Sequence, residues 1–202
     1  MTSKIEIWNM ALGHLGHADE IQDIDEGTTY AIFCRRYWDV ALQDEYEEYN
    51  YPYFRVQKVL AEIEEDPTDE WAYSYEYPDD CAKPIRILSG TRIDNLNTVI
   101  PFLIANDRDG VKIIYTDMED ATLEYVLKET VTTIYPSAFA LMMSYKLAYL
   151  IAPKLTGGNP DGPALRAQVF DLYKRQKSKA MADAANSERP DPEPESEFTR
   201  NR

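Results

Sequence analysis

The chain has 202 residues, 44% of them apolar, 12% aromatic and 28% charged, a composition inside the globular range that excludes collagen-like, coiled-coil and wholly disordered classes. Its net charge of −15 is concentrated. Between Asp19 and Asp80 nineteen acidic side chains face only Arg35, Arg36, Arg55 and Lys58, while the rest of the chain is balanced. That third cannot grip nucleic-acid phosphates, which need clustered Lys and Arg, although a wall that repels phosphate suits a passage for DNA. No apolar run reaches the length of a membrane span and no secretory leader opens the chain, so a cytosolic, membrane-free protein is expected. Cys34 and Cys81 are too few for a disulfide framework and lack CxxC spacing.

In chain order, Ser3 and Glu6 form a capping box ahead of Ile5, Trp8, Leu12 and Leu15, one face of a short helix that Gly16 stops. An acidic loop leads to Thr28 or Thr29 as the cap of a second helix reaching about Tyr49. This helix carries two apolar stripes, Phe33, Tyr37, Val40 and Ala41 on one side and Trp38, Leu42, Tyr46 and Tyr49 on the other. Two stripes need two partners, and the second set is assigned to a contact between subunits or to an overlying loop. Residues 50–61 read as irregular or briefly extended around Pro52, and 62–70 as an acidic loop.

From Trp71 to Lys128 short β-rich runs take over. Strands are expected at Ile85–Leu88, Val99–Ala105, Val111–Tyr115 and Leu123–Leu127, with Asn106, Asp107, Arg108, Asp109 and Gly110 as a hairpin loop. Four or five strands would make one small antiparallel sheet. Helix returns after Pro136 with Ser137 as its expected cap, Phe139 to Leu150 are apolar nearly all round except Ser144 and Lys146, and Pro153 is expected to end the helix. The turn-rich TGGNPDG at 156–162 delivers Pro163 to a last helix reaching Asn186. Leu165, Val169 and Leu172 give that helix a buried face, and its later half, with Lys174, Arg175, Lys177, Lys179 and small alanines, reads as a basic rod that packs little. Residues 187–202, containing ERPDPEPESE, form a tail without core-forming residues. The fold class is therefore α+β, a bundle of about four helices from 1–60 and 135–186, a β insertion at 71–130 and a flexible tail at 187–202.

No phosphate-loop, dinucleotide, nucleophile-elbow or HExxH string occurs, and no cofactor is implied. His14 and His17 have a spacing that permits a shared metal, but His17 follows Gly16 and falls outside the helix, which favours a structural role. Asp107 and Asp109 lack the downstream Glu of a calcium loop. Cys34 lies between Phe33 and Tyr37 as a small buried residue. The fifteen tyrosines suit surfaces that are packed on one side and wet on the other.

IWNMALGHLG at Ile7–Gly16, Arg35-Arg36-Tyr37, YPYF at Tyr51–Phe54, YEYPDDCAKPIRIL at Tyr75–Leu88 and YPSAFALMMSYKLAYLIAPKLTGG at Tyr135–Gly158 follow one another in an order. In that order the chain resembles bacteriophage head-to-tail adaptor proteins of the tail tubular protein A type, over roughly Ser3 to Asn186. The resemblance implies a non-enzymatic virion protein of the phage neck, assembled in the host cytoplasm. It implies a dodecameric homo-oligomeric ring between the portal protein and a downstream tail nozzle, with a channel through which DNA passes without specific binding. Lys174, Arg175, Lys177, Lys179, Phe198, Arg200 and Arg202 would then meet the portal, and Asn106 to Gly110 the nozzle. The unusually acidic tail departs from the family pattern. Another neck or tail completion protein, an assembly chaperone or a small enzyme are the competing readings.

Overall fold

The computed structural model describes residues 2–63, 70–91, 97–129 and 131–187. Four helices and two three-stranded antiparallel sheets make a mixed α+β fold. Helix α1, Lys4–His14, begins with the capping box, in which the Ser3 hydroxyl accepts from the Glu6 amide and the Glu6 carboxylate accepts from the Ser3 amide. It ends in a Schellman motif: the His17 amide donates to Leu12 O, the Gly16 amide donates to Gly13 O, and Gly16 takes the left-handed φ of 79° that a side chain would strain. Helix α2, Thr29–Glu48, is capped by Thr28, whose hydroxyl accepts from the Ala31 amide.

After α2 a 3-10 turn at Pro52–Phe54 feeds strand β1, Arg55–Val59. Strands β2, Tyr73–Glu76, β3, Cys81–Ile87, β4, Phe102–Asn106, β5, Lys112–Thr116, and β6, Thr122–Leu127, follow. One sheet has the order β1-β6-β3 and the other β2-β5-β4. Among the described residues there are thus six strands in two sheets rather than four or five in one. The β module also starts earlier than expected, since β1 pairs with β6 from Arg55↔Val126 to Val59↔Thr122. Past β1 the backbone continues alongside β2, with the Ile63 amide donating to Ser74 O and the Glu76 amide to Ala61 O. Leu60, Tyr75, Ile87, Ile114, Leu123 and Tyr125 form the module's own small core.

Helix α3, Ser137–Leu155, is the axis of the bundle, and α1, α2 and α4 all pack on it. Ser137 is its first helical residue rather than its cap, a position held by Pro136. Pro153 lies inside the last turn instead of ending the helix. The Thr156 amide still bonds to Ala152 O beyond it, so the helix continues past the missing proline N–H. Helix α4, Gly162–Ser187, is about 39 Å long at 1.5 Å per residue. Its later half packs more than expected: Val169, Tyr173, Lys177, Ala180 and Ala184 form one buried stripe at helical spacing, in which the alanines permit close approach. Where the bundle meets the β module, Tyr51, Phe54, Tyr135 and Phe139 interlock edge to face with centroid separations from 5.1 to 6.2 Å. Among the described residues no helix is long and apolar enough to cross a membrane.

Candidate assembly surfaces

Helix α2 buries a single stripe in its own bundle: Ala31, Cys34, Trp38, Ala41, Leu42, Glu45 and Tyr46. Trp38, Leu42 and Tyr46, assigned above to a neighbouring subunit, are thereby corrected to intramolecular core, and Tyr49 packs half-buried against the same cluster. Trp38 meets Trp8 edge to face at 6.5 Å, and Lys4 lies over both rings. Tyr46 donates its hydroxyl to Glu129 O at 2.7 Å, and burial raises its pKa above the ordinary tyrosine value. The face that α2 leaves outward carries Ile32, Arg36, Asp39 and Val40, with Val40 63% exposed. Of the other stripe, Ala41 is buried and Phe33 and Tyr37 pack half-buried against the same cluster, so one wide contact within the chain covers what two stripes had divided between two partners.

The basic run of α4 also divides. Arg175 and Lys179 are exposed, and Lys174, exposed as well, pairs with Asp171 at 2.8 Å. Lys177 turns inward and is removed from the expected portal-facing set. It joins Lys146 of α3 on the carboxylates of α2: Lys177 Nζ lies 3.2 Å from Glu45 Oε2 and also pairs with Glu48, while Lys146 Nζ lies 2.5 Å from both Glu45 Oε1 and Asp44 Oδ2. Tyr173 donates to Glu45 Oε1, and burial first, then the neighbouring carboxylates, raise its pKa. Glu45 is fully buried at the junction of α2, α3 and α4. Asp44, Glu45 and Glu48 have oxygens close enough to share a cation, but two ammonium groups already sit on those oxygens, so their chemistry here is that of an ion-pair lattice. The sequence signal for this lattice was Lys146 interrupting an otherwise apolar helix.

The hairpin loop Asn106–Gly110 forms as expected and is built around Asp107. Asp107 Oδ1 accepts from the amides of Asp109 and Val111, each at 2.8 Å, and Gly110 turns with φ of 82°. That carboxylate oxygen is therefore occupied with backbone. Around the hairpin Leu103, Ile104, Val111 and the preceding Val99 are exposed, and β4 is an edge strand whose outer side pairs with no strand among the described residues. Phe198, Arg200 and Arg202 lie outside the described residues, as do 188–202 of the expected tail.

The histidines serve separate contacts. His14 Nε2 lies 3.0 Å from Ser144 Oγ with its ring stacked on Tyr145, and burial lowers its pKa, whereas His17 Nδ1 meets Tyr30 Oη at 3.3 Å. Cys34 is buried and its thiol is pushed up to about 12 by that burial, far from the thiolate a nucleophile needs. Cys81 is also buried, and both cysteines are free thiols. No family model matches the chain, and no curated protein matches it.

Proposed function

We propose that the chain is a structural component of a bacteriophage neck, a head-to-tail adaptor whose copies close into a ring between portal and tail nozzle around a passage for DNA. The observation that carries this reading is the division of the molecule into a helical bundle and an inserted β module that leaves an apolar edge uncovered at Val99, Leu103, Ile104 and Val111. An adaptor needs such unpartnered surfaces on different elements, because it meets one protein above and another below while touching copies of itself. The exposed cations Lys174, Arg175 and Lys179 on α4 supply a second surface, distinct from the β edge. The acidic stretch from Asp19 to Asp80 suits a channel wall that does not hold DNA. A binding role is also favoured by the chemistry of the candidate nucleophiles and bases, which are engaged in packing.

The test is native mass spectrometry of the purified chain mixed with its cognate portal ring. The expected outcome is a mass increase equal to a full ring of copies. A chain that stays monomeric beside portal and DNA-filled heads overturns the reading and favours an assembly chaperone.

A further inference from the structure

The two sheets of the β module are joined at two places. The segment after β1 runs beside β2 through the Glu62↔Tyr75 bridge, and the end of β3 meets the segment before β4 through Ile87↔Ile100. Beyond that single bridge no pairing holds β3 to β4 among the described residues, so β4 keeps a free edge. The hairpin determines which backbone groups point out of it. The Asp107 amide donates to Val111 O at 2.8 Å, so by the alternation of an antiparallel ladder Leu103 and Ala105 exchange their bonds with Tyr115 and Ile113. On the same side Pro101 O accepts from the Thr116 hydroxyl at 2.9 Å. The amides and carbonyls of Phe102, Ile104 and Asn106 therefore face away from β5, and no hydrogen bond among the described residues reaches them.

Such an edge is a template for another strand, and proteins ordinarily block it with charge. Strand β1, whose outer side is also open, carries Arg55 and Lys58. Strand β4 has no such guard. Residues 99–106 contain no charged side chain in a chain of net charge −15, and Leu103 and Ile104 are 47% and 40% exposed. Two copies of so acidic a chain repel one another over most of their surface, and along this strip they can approach with no like charges opposed.

The edge is also complementary to itself. A two-fold antiparallel pairing centred on Ile104 sets Phe102 opposite Asn106 of the second copy and Ile104 opposite Ile104, so that every outward amide and carbonyl of β4 gains a partner. A shift of register by two residues leaves one of those three residues on each strand without a partner in β4. We infer that the free chain forms a two-fold dimer in which β4 of one copy pairs with β4 of another and Leu103 packs against Ala105 of the second copy. This dimer is independent of the adaptor reading. A two-fold contact cannot propagate around a ring, so if that reading holds the dimer is the form of the chain before it meets a portal. The test below contains no portal, and the two claims fail separately.

Sedimentation of the full-length chain from about 1 µM to about 1 mM should show a monomer–dimer equilibrium. Ile104→Pro removes an amide that points away from β5, which leaves the β4–β5 ladder intact, and should raise the dimer dissociation constant at least about tenfold. Gln57→Pro makes the same change on the outer side of β1 and should leave the constant unaltered. Ile104→Cys should cross-link two copies under mild oxidation, because the two-fold sets the residue against itself, whereas Val59→Cys should not; Cys34 and Cys81 are buried and do not compete. A chain that stays monomeric throughout the series overturns the proposal. So does a dimer that survives Ile104→Pro or that Gln57→Pro weakens equally. Cross-linking of Ile104→Cys no faster than that of Val59→Cys overturns it as well, and this comparison decides the matter if the proline variant does not fold.

Discussion

The helical bundle and the β module solve the burial problem differently. The bundle encloses whole aromatic rings, Trp8, Trp38, Tyr46, Tyr51, Phe54 and Phe139 among them, and has enough enclosed volume to bury a charged lattice as well. The module covers a smaller cluster and leaves Val59, Val99, Leu103, Ile104, Val111 and Met118 at least a third exposed. A small sheet pair has too much surface for its volume to finish its own core, so its apolar residues stay available for a partner. The bundle therefore holds most of the buried rings, while the module keeps a smaller core and an exposed apolar edge.

The largest expected break falls in the bundle. Glu45→Ala leaves Lys146 and Lys177 beside one another with only the exposed carboxylates of Asp44 and Glu48 as partners and should cost up to about 3–5 kcal/mol, read as a lower urea midpoint. The matched replacement of Glu45, Lys146, Lys177 and Tyr173 together by Leu, Met, Met and Phe should be close to neutral, because desolvation of the charges is then removed along with their attraction and no buried hydroxyl is left unpaired. Ile114→Ala, at the centre of the module, should cost about 2–5 kcal/mol. Hydrogen exchange after that change should rise in β2, β4 and β5 and leave α3 protected; equal loss in both regions would show that they unfold as one. Ser3→Ala removes half of the capping box and should cost about 1 kcal/mol, confined to α1.

The smallest effect is a pH dependence from His14. Its folded pKa lies below the ordinary 6.5, so as pH falls through 6.5 the unfolded chain takes up the proton first and stability declines until the folded pKa is passed. His14→Gln should flatten that part of the stability profile. A chain equally stable on both sides of pH 6.5 would mean that the Tyr145 stack leaves the ring open to water.

Much of the bundle was legible because its signals are local. Ser3 with Glu6, Gly16 and Thr28 each fix a helix end through bonds to residues within a few positions. Strand β6 and the Asn106–Gly110 hairpin were also readable, from alternation and from turn residues. Strands β1 and β2 were not, since β1 is mostly polar or half-buried and has a strand pattern only once β6 lies beside it. The division of α2 failed for a similar reason. Both of its stripes are apolar, and which one faces inward depends on where α1 and α3 sit, which no spacing within α2 records. Lys177 reads as a surface cation until Glu45, far away in sequence, is placed beneath it.

The pairing of β1 with β6 has a consequence for the chain's connectivity. The segment that leaves α2 and the segment that enters α3 are hydrogen-bonded neighbours, beginning at Arg55↔Val126. The long excursion between the two helices is thus pinched shut at its base. Loop-closure entropy grows only with the logarithm of free length, and the pinch shortens the free length to the few residues on either side of the helices. Once β1 and β6 have zipped, α2 and α3 are effectively joined by a short linker. Lengthening or shortening the loops further out in the module leaves the cost of assembling the bundle almost unchanged.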